Sequence, residues 1–197
     1  MRKLSILLLI FSLFIGAYSC QNDFQPKPRG YFRIQLPEKE YTRFEISTFP
    51  YQFDIPVYSK IGMPKNNTEK YWINVIYPMF KAQLHISYKP VHNNLDTLLN
   101  DAHKMMNKHI PKANAINEQM FLNDEHQVYG MAYEIMGTEA ASPYQFYLTD
   151  STNHFLRGAL YFNFSPNNDS LSPVINFIKE DMVRMIETFE WAESPVE

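Results

Sequence analysis

Cys20 is the only cysteine in the 197-residue chain, and what stands in front of it constrains everything behind it. Met1-Arg2-Lys3 is a short basic start, Leu4 to Ile15 is an almost unbroken apolar run, and Gly16-Ala17-Tyr18-Ser19 brings small residues up to the thiol. That order is the order of a secretory signal, and about a dozen apolar residues are too few to cross a bilayer. Small residues directly before a lone cysteine form the lipobox pattern of bacterial lipoproteins, although Ala17 stands where Leu is commonest and Tyr18 is bulky. The expectation is therefore that Cys20 is lipidated and becomes the first residue of the mature chain. An unlipidated thiol would have no disulfide partner in an oxidising compartment and would be open to reaction. Several acyl chains, each methylene worth about 0.8 kcal/mol, hold a protein on a membrane durably.

The layout that follows is a signal peptide over 1–19, a lipidated cysteine with a Pro-containing tether over 20–28, and a single domain over 29–197. Cleavage leaves about 178 residues, enough for one sizeable core. It also removes Arg2 and Lys3, leaving 16 basic against 21 acidic side chains. A mildly acidic chain with no basic patch gives no reason to expect a nucleic-acid partner. No later segment approaches the roughly 20 apolar residues of a membrane-spanning helix. Aromatic residues make up 15% of the chain and only six residues are Gly, which favours a β-rich packed domain over disorder.

Alternating patterns fill much of the domain. Tyr31, Arg33 and Gln35 alternate with Phe32, Ile34 and Leu36, which predicts a first strand ended by Pro37. "YTRFEI" and "YQFDIPVY" predict two more, and the Pro-Lys-Asn-Asn run from Pro64 predicts a loop. In "AQLHISYK", Ala82, Leu84, Ile86 and Tyr88 share one face while Gln83, His85, Ser87 and Lys89 share the other. "YWINVIY" is apolar on both faces and reads as central. "VYGMAYEIM", "YQFYLT" and "HFLRGALYFNF" follow, the last two joined by an Asp150-Ser151-Thr152-Asn153 turn. Two amphipathic helices interrupt the strands. One runs from Asn94 to Ile110, with Leu95, Leu98, Leu99, Ala102 and Met106 in its stripe and Pro111 closing it. The other has Ser172 as N-cap and Pro173 at its first position, with Ile175, Ile178, Met182, Met185 and Phe189 in its stripe. This order predicts an α+β fold with a mainly antiparallel sheet and two amphipathic helices. The closing helix and element order resemble the Mog1/PsbP-type sandwich.

Catalytic patterns are scarce. No G-x-S-x-G, H-E-x-x-H or Gly-rich phosphate loop occurs, and no cofactor or metal is expected. "HKMMNKH" carries His103, Met105, Met106 and His109, residue types that suit copper. His103 and His109 stand about 240° apart around a helix, so they share no face. "DEH" (Asp124, Glu125, His126) reads as a solvated turn, and "KED" (Lys179, Glu180, Asp181) as the exposed side of the second helix. Three triplets exceed chance: Asp96-Thr97-Leu98, Asp150-Ser151-Thr152 and Asp169-Ser170-Leu171, where composition gives about a third of one match. They resemble the O-glycosylation sequon of exported Bacteroidetes proteins. Thr97, Ser151 and Ser170 are the candidate acceptors, with Thr97 at a helix start and Ser151 and Ser170 in predicted loops; Asp-Ser and Asp-Thr are also ordinary turn and cap pairs.

"PKPRGYFRIQLPEKEY", Pro26 to Tyr41, then an aromatic-rich domain ending in an amphipathic helix and "TFEW", resembles the gliding motility lipoprotein GldD family of Bacteroidetes. The resemblance covers essentially the whole chain and implies a cell-envelope lipoprotein required for gliding and type IX protein secretion, with no known catalytic activity. The partners so implied are other envelope proteins of that machinery, with the membrane reached through the lipid anchor. The expected role is non-enzymatic binding or stabilisation. An envelope lipoprotein binding a glycan or small molecule in an aromatic-lined pocket is the alternative, and a hydrolase with an unrecognised site is a third reading. One acid after the cysteine, in Gln21-Asn22-Asp23, favours periplasmic retention over surface export. Nothing in the sequence separates inner from outer membrane; the periplasmic face of the outer membrane is the expectation, with the inner membrane as the alternative. Arg29, Tyr31 and Arg33, expected on the open side of the first strand and close to the membrane, are the candidate partner-docking residues.

Overall fold

Alternation produces sheets here wherever both neighbours exist. The computed structural model describes residues 34–64 and 69–192, and among these ten strands form two antiparallel sheets. The smaller is β1 (Tyr41–Phe44), β2 (Tyr51–Pro56) and β10 (Glu190–Trp191), in the order β1-β2-β10. The larger contains β3 (Lys60–Gly62), β4 (Ile73–Tyr77), β5 (Ala82–Pro90), β6 (Ala115–Asn123), β7 (Val128–Met136), β8 (Tyr144–Thr149) and β9 (His154–Phe162). Its order is β3-β4-β5-β9-β8-β7-β6. Helix α1 (Leu95–Asn107) connects β5 to β6, and α2 (Asn168–Glu187) leads from β9 to β10. The fold is α+β, as the element order predicts.

The large sheet is covered on both faces. On one, Ile73, Val75, Leu84, Ile86, Phe146, Leu148, Leu156 and Leu160 pack with the small sheet and with Phe177, Ile178, Met182, Met185 and Ile186 of α2. Burying each such side chain is worth roughly 1.5–3 kcal/mol. The aromatic content goes largely here: Phe44, Phe53, Tyr51 and Phe189 form a run of near-parallel rings with centroids 5.1–6.1 Å apart. Gly158 makes room in β9, because a Cβ there would lie 2.2 Å from the Phe146 ring. On the opposite face α1 packs through Ala102, Leu95, Leu98 and Leu99 onto Phe155, Val91 and Tyr147.

Three expectations need correction. Residues 34–40 form no strand, and Ile34 and Leu36 are exposed rather than turned inward; Pro37 lacks the N–H a ladder needs, and the first pairing begins at Tyr41. Helix α2 starts at Asn168, capped by Asn167, rather than after Ser172. Its first turn is held from outside: buried Asn168 donates through Nδ2 to Gly137 O at 2.8 Å and Ala140 O at 2.9 Å, and its N–H donates to Thr138 O at 3.0 Å. Those bonds carry the helix through Pro173, whose ring removes one bond of the helical ladder. Ser170 therefore lies in the first turn of α2, not in a loop.

Candidate functional site

The second face of β5 is polar, and antiparallel register sets it beside the same face of β9. Gln83 pairs with Tyr161, His85 with Ala159 and Ser87 with Arg157, while Asn74 of β4 stands opposite His85. Register partners share a face, so these side chains converge. Ser87 and Ala159 are short, so the floor they form is deep. α1 forms one wall through Leu98, Asp101 and Met105, and Trp72 forms the opposite rim. The resulting groove has a volume of about 470 Å³, within the range of small-molecule sites. Trp72 is fixed by its indole N–H, which donates to Tyr88 O at 2.8 Å. Lys89 lies 5.5 Å over the indole ring and pairs with Glu69 at 2.6 Å.

Arg157 dominates the electrostatics. Its guanidinium donates to Gln145 Oε1 at 2.6 Å and hydrogen-bonds the Tyr161 side chain, and among the described residues no carboxylate pairs with it. Burial lowers its pKa and the Tyr161 bond opposes that, but a guanidinium remains charged throughout the physiological range. Gln145 is 1% exposed, and its Nε2 has no hydrogen-bond partner among the described residues. Burial also lowers the pKa of His85, whose ring stands edge-on to Tyr161 with centroids 5.5 Å apart. His85 and Asp101 both line the groove, yet no hydrogen bond joins them. Ser87 Oγ donates to the Arg157 carbonyl at 3.4 Å. The arrangement offers apolar and aromatic walls, two cations of which Lys89 already pairs with Glu69, the Asp101 carboxylate and neutral donors, which are means of binding.

The opposite face holds a second polar cluster. Asp181 was expected on the exposed side of α2, but it is completely buried. Its Oδ1 accepts from Lys39 Nζ at 2.6 Å and Tyr41 OH at 3.0 Å, and Tyr58 OH lies 2.8 Å from both carboxylate oxygens. Lys39 also donates to Phe177 O at 2.6 Å and sits 3.6 Å over the Phe177 ring. Burial raises the Asp181 pKa, against the pull of Lys39 and Tyr58. Burial, and then Asp181 itself, push the Tyr41 and Tyr58 phenols far up, so both remain protonated donors. The cluster fastens the segment entering the domain to the last helix.

A family model described as gliding motility lipoprotein GldD matches residues 21–191. The chain belongs to that family. Membership of a lipoprotein family associates it with the cell envelope, and no helix among the described residues is long and apolar enough to cross a membrane. No curated protein matches the chain. The solution structure of cyanobacterial PsbP (CyanoP) from Synechocystis is similar at 10% identity and a TM-score of 0.48, over 82% of this chain and 98% of that one.

The stretch that carries the GldD resemblance, Pro26 to Tyr41, is described only from Ile34 onward, and Cys20, Arg29, Tyr31 and Arg33 lie outside the described residues. Thr97, Ser151 and Ser170 are all exposed. Asp150 organises the β8–β9 turn: its carboxylate accepts from the N–H groups of Thr152, Asn153 and His154 at 2.8–3.0 Å and from the Thr152 hydroxyl at 3.0 Å. Burial opposes its ionisation, but those bonds prevail and hold its pKa below the usual carboxylate value. Asp124, Glu125 and His126 form the exposed β6–β7 turn. Met106 is core, and His103 instead stands edge-on to Tyr133, 3.4 Å from its hydroxyl. Sequence reasoning missed Arg157 and Gln145; a cation in the middle of the otherwise apolar "HFLRGALYF" was the available signal.

Proposed function

We propose that the protein is a lipid-anchored, non-enzymatic component of the gliding and type IX secretion apparatus, held on the periplasmic face of the outer membrane, where it binds or stabilises other envelope proteins. The match to the gliding motility lipoprotein family over residues 21–191 carries this reading. The signal-like start and lone Cys20 support the anchor. Arg29, Tyr31 and Arg33 are the proposed contacts with the machinery, since they adjoin the anchor in sequence. Crosslinking in the native envelope should recover secretion or motility proteins, and a deletion strain should lose spreading and export together. Normal gliding and normal export in that strain would overturn the proposal. Restoration of both by a chain with all three docking residues changed to Ser would remove the docking assignment alone. Thr97, Ser151 and Ser170 are proposed glycan acceptors, and an intact mass equal to that of the bare lipoprotein would eliminate them.

A further inference from the structure

We propose that the groove between α1 and the β4–β5–β9 face binds a small amphipathic carboxylate, its head on Arg157 and its apolar body against α1 and Trp72. Three observations converge. The cavity of about 470 Å³ is lined mainly by apolar and aromatic groups, Trp72, Leu98, Met105 and Phe155 among them. A largely apolar groove with a few placed polar groups is the usual form of a small-molecule site. Arg157 lines it and has no carboxylate partner among the described residues, whereas Lys89 at the rim already has Glu69. A half-buried guanidinium ordinarily finds a carboxylate or phosphate to take its planar fork. Gln145 adds the third observation, for the amide that receives Arg157 keeps a buried Nε2 with no partner among the described residues. A buried donor left unpaired is costly, so the neutral amide that receives Arg157 is itself incompletely satisfied and is a poor substitute for a carboxylate.

The charge count selects the head group. One unpaired cation matches one negative charge. Asp101 stands on the α1 wall and repels a second, while a phosphate monoester carries about −1.5 to −2 at neutral pH. His85, its pKa lowered by burial, adds no positive charge there at neutral pH. A monocarboxylic acid with an aryl or alkyl body therefore fits better than a phosphate or a neutral sugar.

The mature lipoprotein in phosphatidylcholine vesicles, whose surface carries no net charge, allows a direct test. Binding of 4-phenylbutyrate, the neutral 4-phenylbutanamide and phenyl phosphate is followed by saturation-transfer NMR and calorimetry. The acid should bind about tenfold or more tightly than the amide, and phenyl phosphate more weakly than the acid. Arg157→Gln should erase the preference for the acid, and Arg157→Lys should keep part of it. Met105→Trp, an exposed wall position, should weaken acid and amide alike without lowering the unfolding temperature. No binding of the acid up to about 10 mM, equal binding of acid and amide, or a preference surviving Arg157→Gln would overturn the proposal. Should Arg157→Gln fail to fold, undiminished acid binding in Met105→Trp would overturn it instead. The test uses purified protein, so its failure leaves the role in the envelope machinery standing, and loss of that role leaves the binding result standing.

Discussion

The two faces of the large sheet each hold a charge away from open solvent, Asp181 wholly and Arg157 in part, and treat it in opposite ways. On the α2 face, Asp181 is surrounded by Lys39, Tyr41 and Tyr58. On the α1 face, Arg157 bonds to the neutral Gln145 and Tyr161 and has no carboxylate partner among the described residues. A buried charge whose partners all come from the protein is built into the fold, and removing one member leaves the rest stranded. A half-buried charge with neutral company and a cavity beside it is available to something else. The contrast separates a structural cluster from a site more sharply than either residue type does.

Breaking the first cluster should give the largest effect. Asp181→Ala strands three donors, and a loss of about 3 kcal/mol in urea unfolding is expected, at the low end for a broken buried pair because Lys39 can regain water. Asp181→Asn keeps an acceptor for the phenols and should lose only about 1 kcal/mol. Arg157→Met removes a half-buried cation that no carboxylate among the described residues balances, but it leaves buried Gln145 Oε1 without its donor, so a cost of about 1–2 kcal/mol is expected. A larger loss for Arg157→Met than for Asp181→Ala would invert the comparison.

Acid titration sharpens it further. With its pKa raised by burial, native Asp181 binds a proton above the usual aspartate value of about 3.9, where the unfolded chain does not. Wild type should therefore gain stability relative to Asp181→Asn as pH falls through the native pKa. Histidines act in the other direction. Burial lowers the pKa of His85, His109 and His154, so below about 6.5 the unfolded chain takes up protons that the fold refuses. The unfolding temperature of wild type should fall from pH 7 to pH 5, and replacing His85 by Gln should reduce that slope slightly.

Much of the interior was legible because its signals are local. The alternation of "AQLHISYK" became β5 with Ala82, Leu84, Ile86 and Tyr88 buried, and the stripe of α2 is buried as spaced. β6 was not legible. It is an edge strand with Met120 and Leu122 exposed, so no single face imposes alternation on "AINEQMFLN". β3 and β10 are too short to carry a pattern. Asp181 was misread by its chemistry, although its spacing was available. It lies three residues after Ile178 and four before Met185, inside the apolar stripe. The groove was invisible for another reason. Ser87 meets Arg157 only through the pairing of β5 with β9, and no local period encodes which strands become neighbours.

The fastening of Lys39 to α2 also determines how the domain responds to mechanical load. With the chain held through Cys20 as proposed, tension would enter the described fold at residue 34, and the first long-range bonds it would meet are those of Lys39 to Phe177 O and Asp181. Only behind them does β1 lie, joined to β2 from Tyr41↔Pro56 onward, the end at which an antiparallel pair unzips. Arg43 reinforces this line by donating to Thr188 O at 2.7 Å and pairing with Glu190 at 3.0 Å. Such a pull would be passed across to α2 and β10 through a handful of polar bonds placed ahead of the sheet.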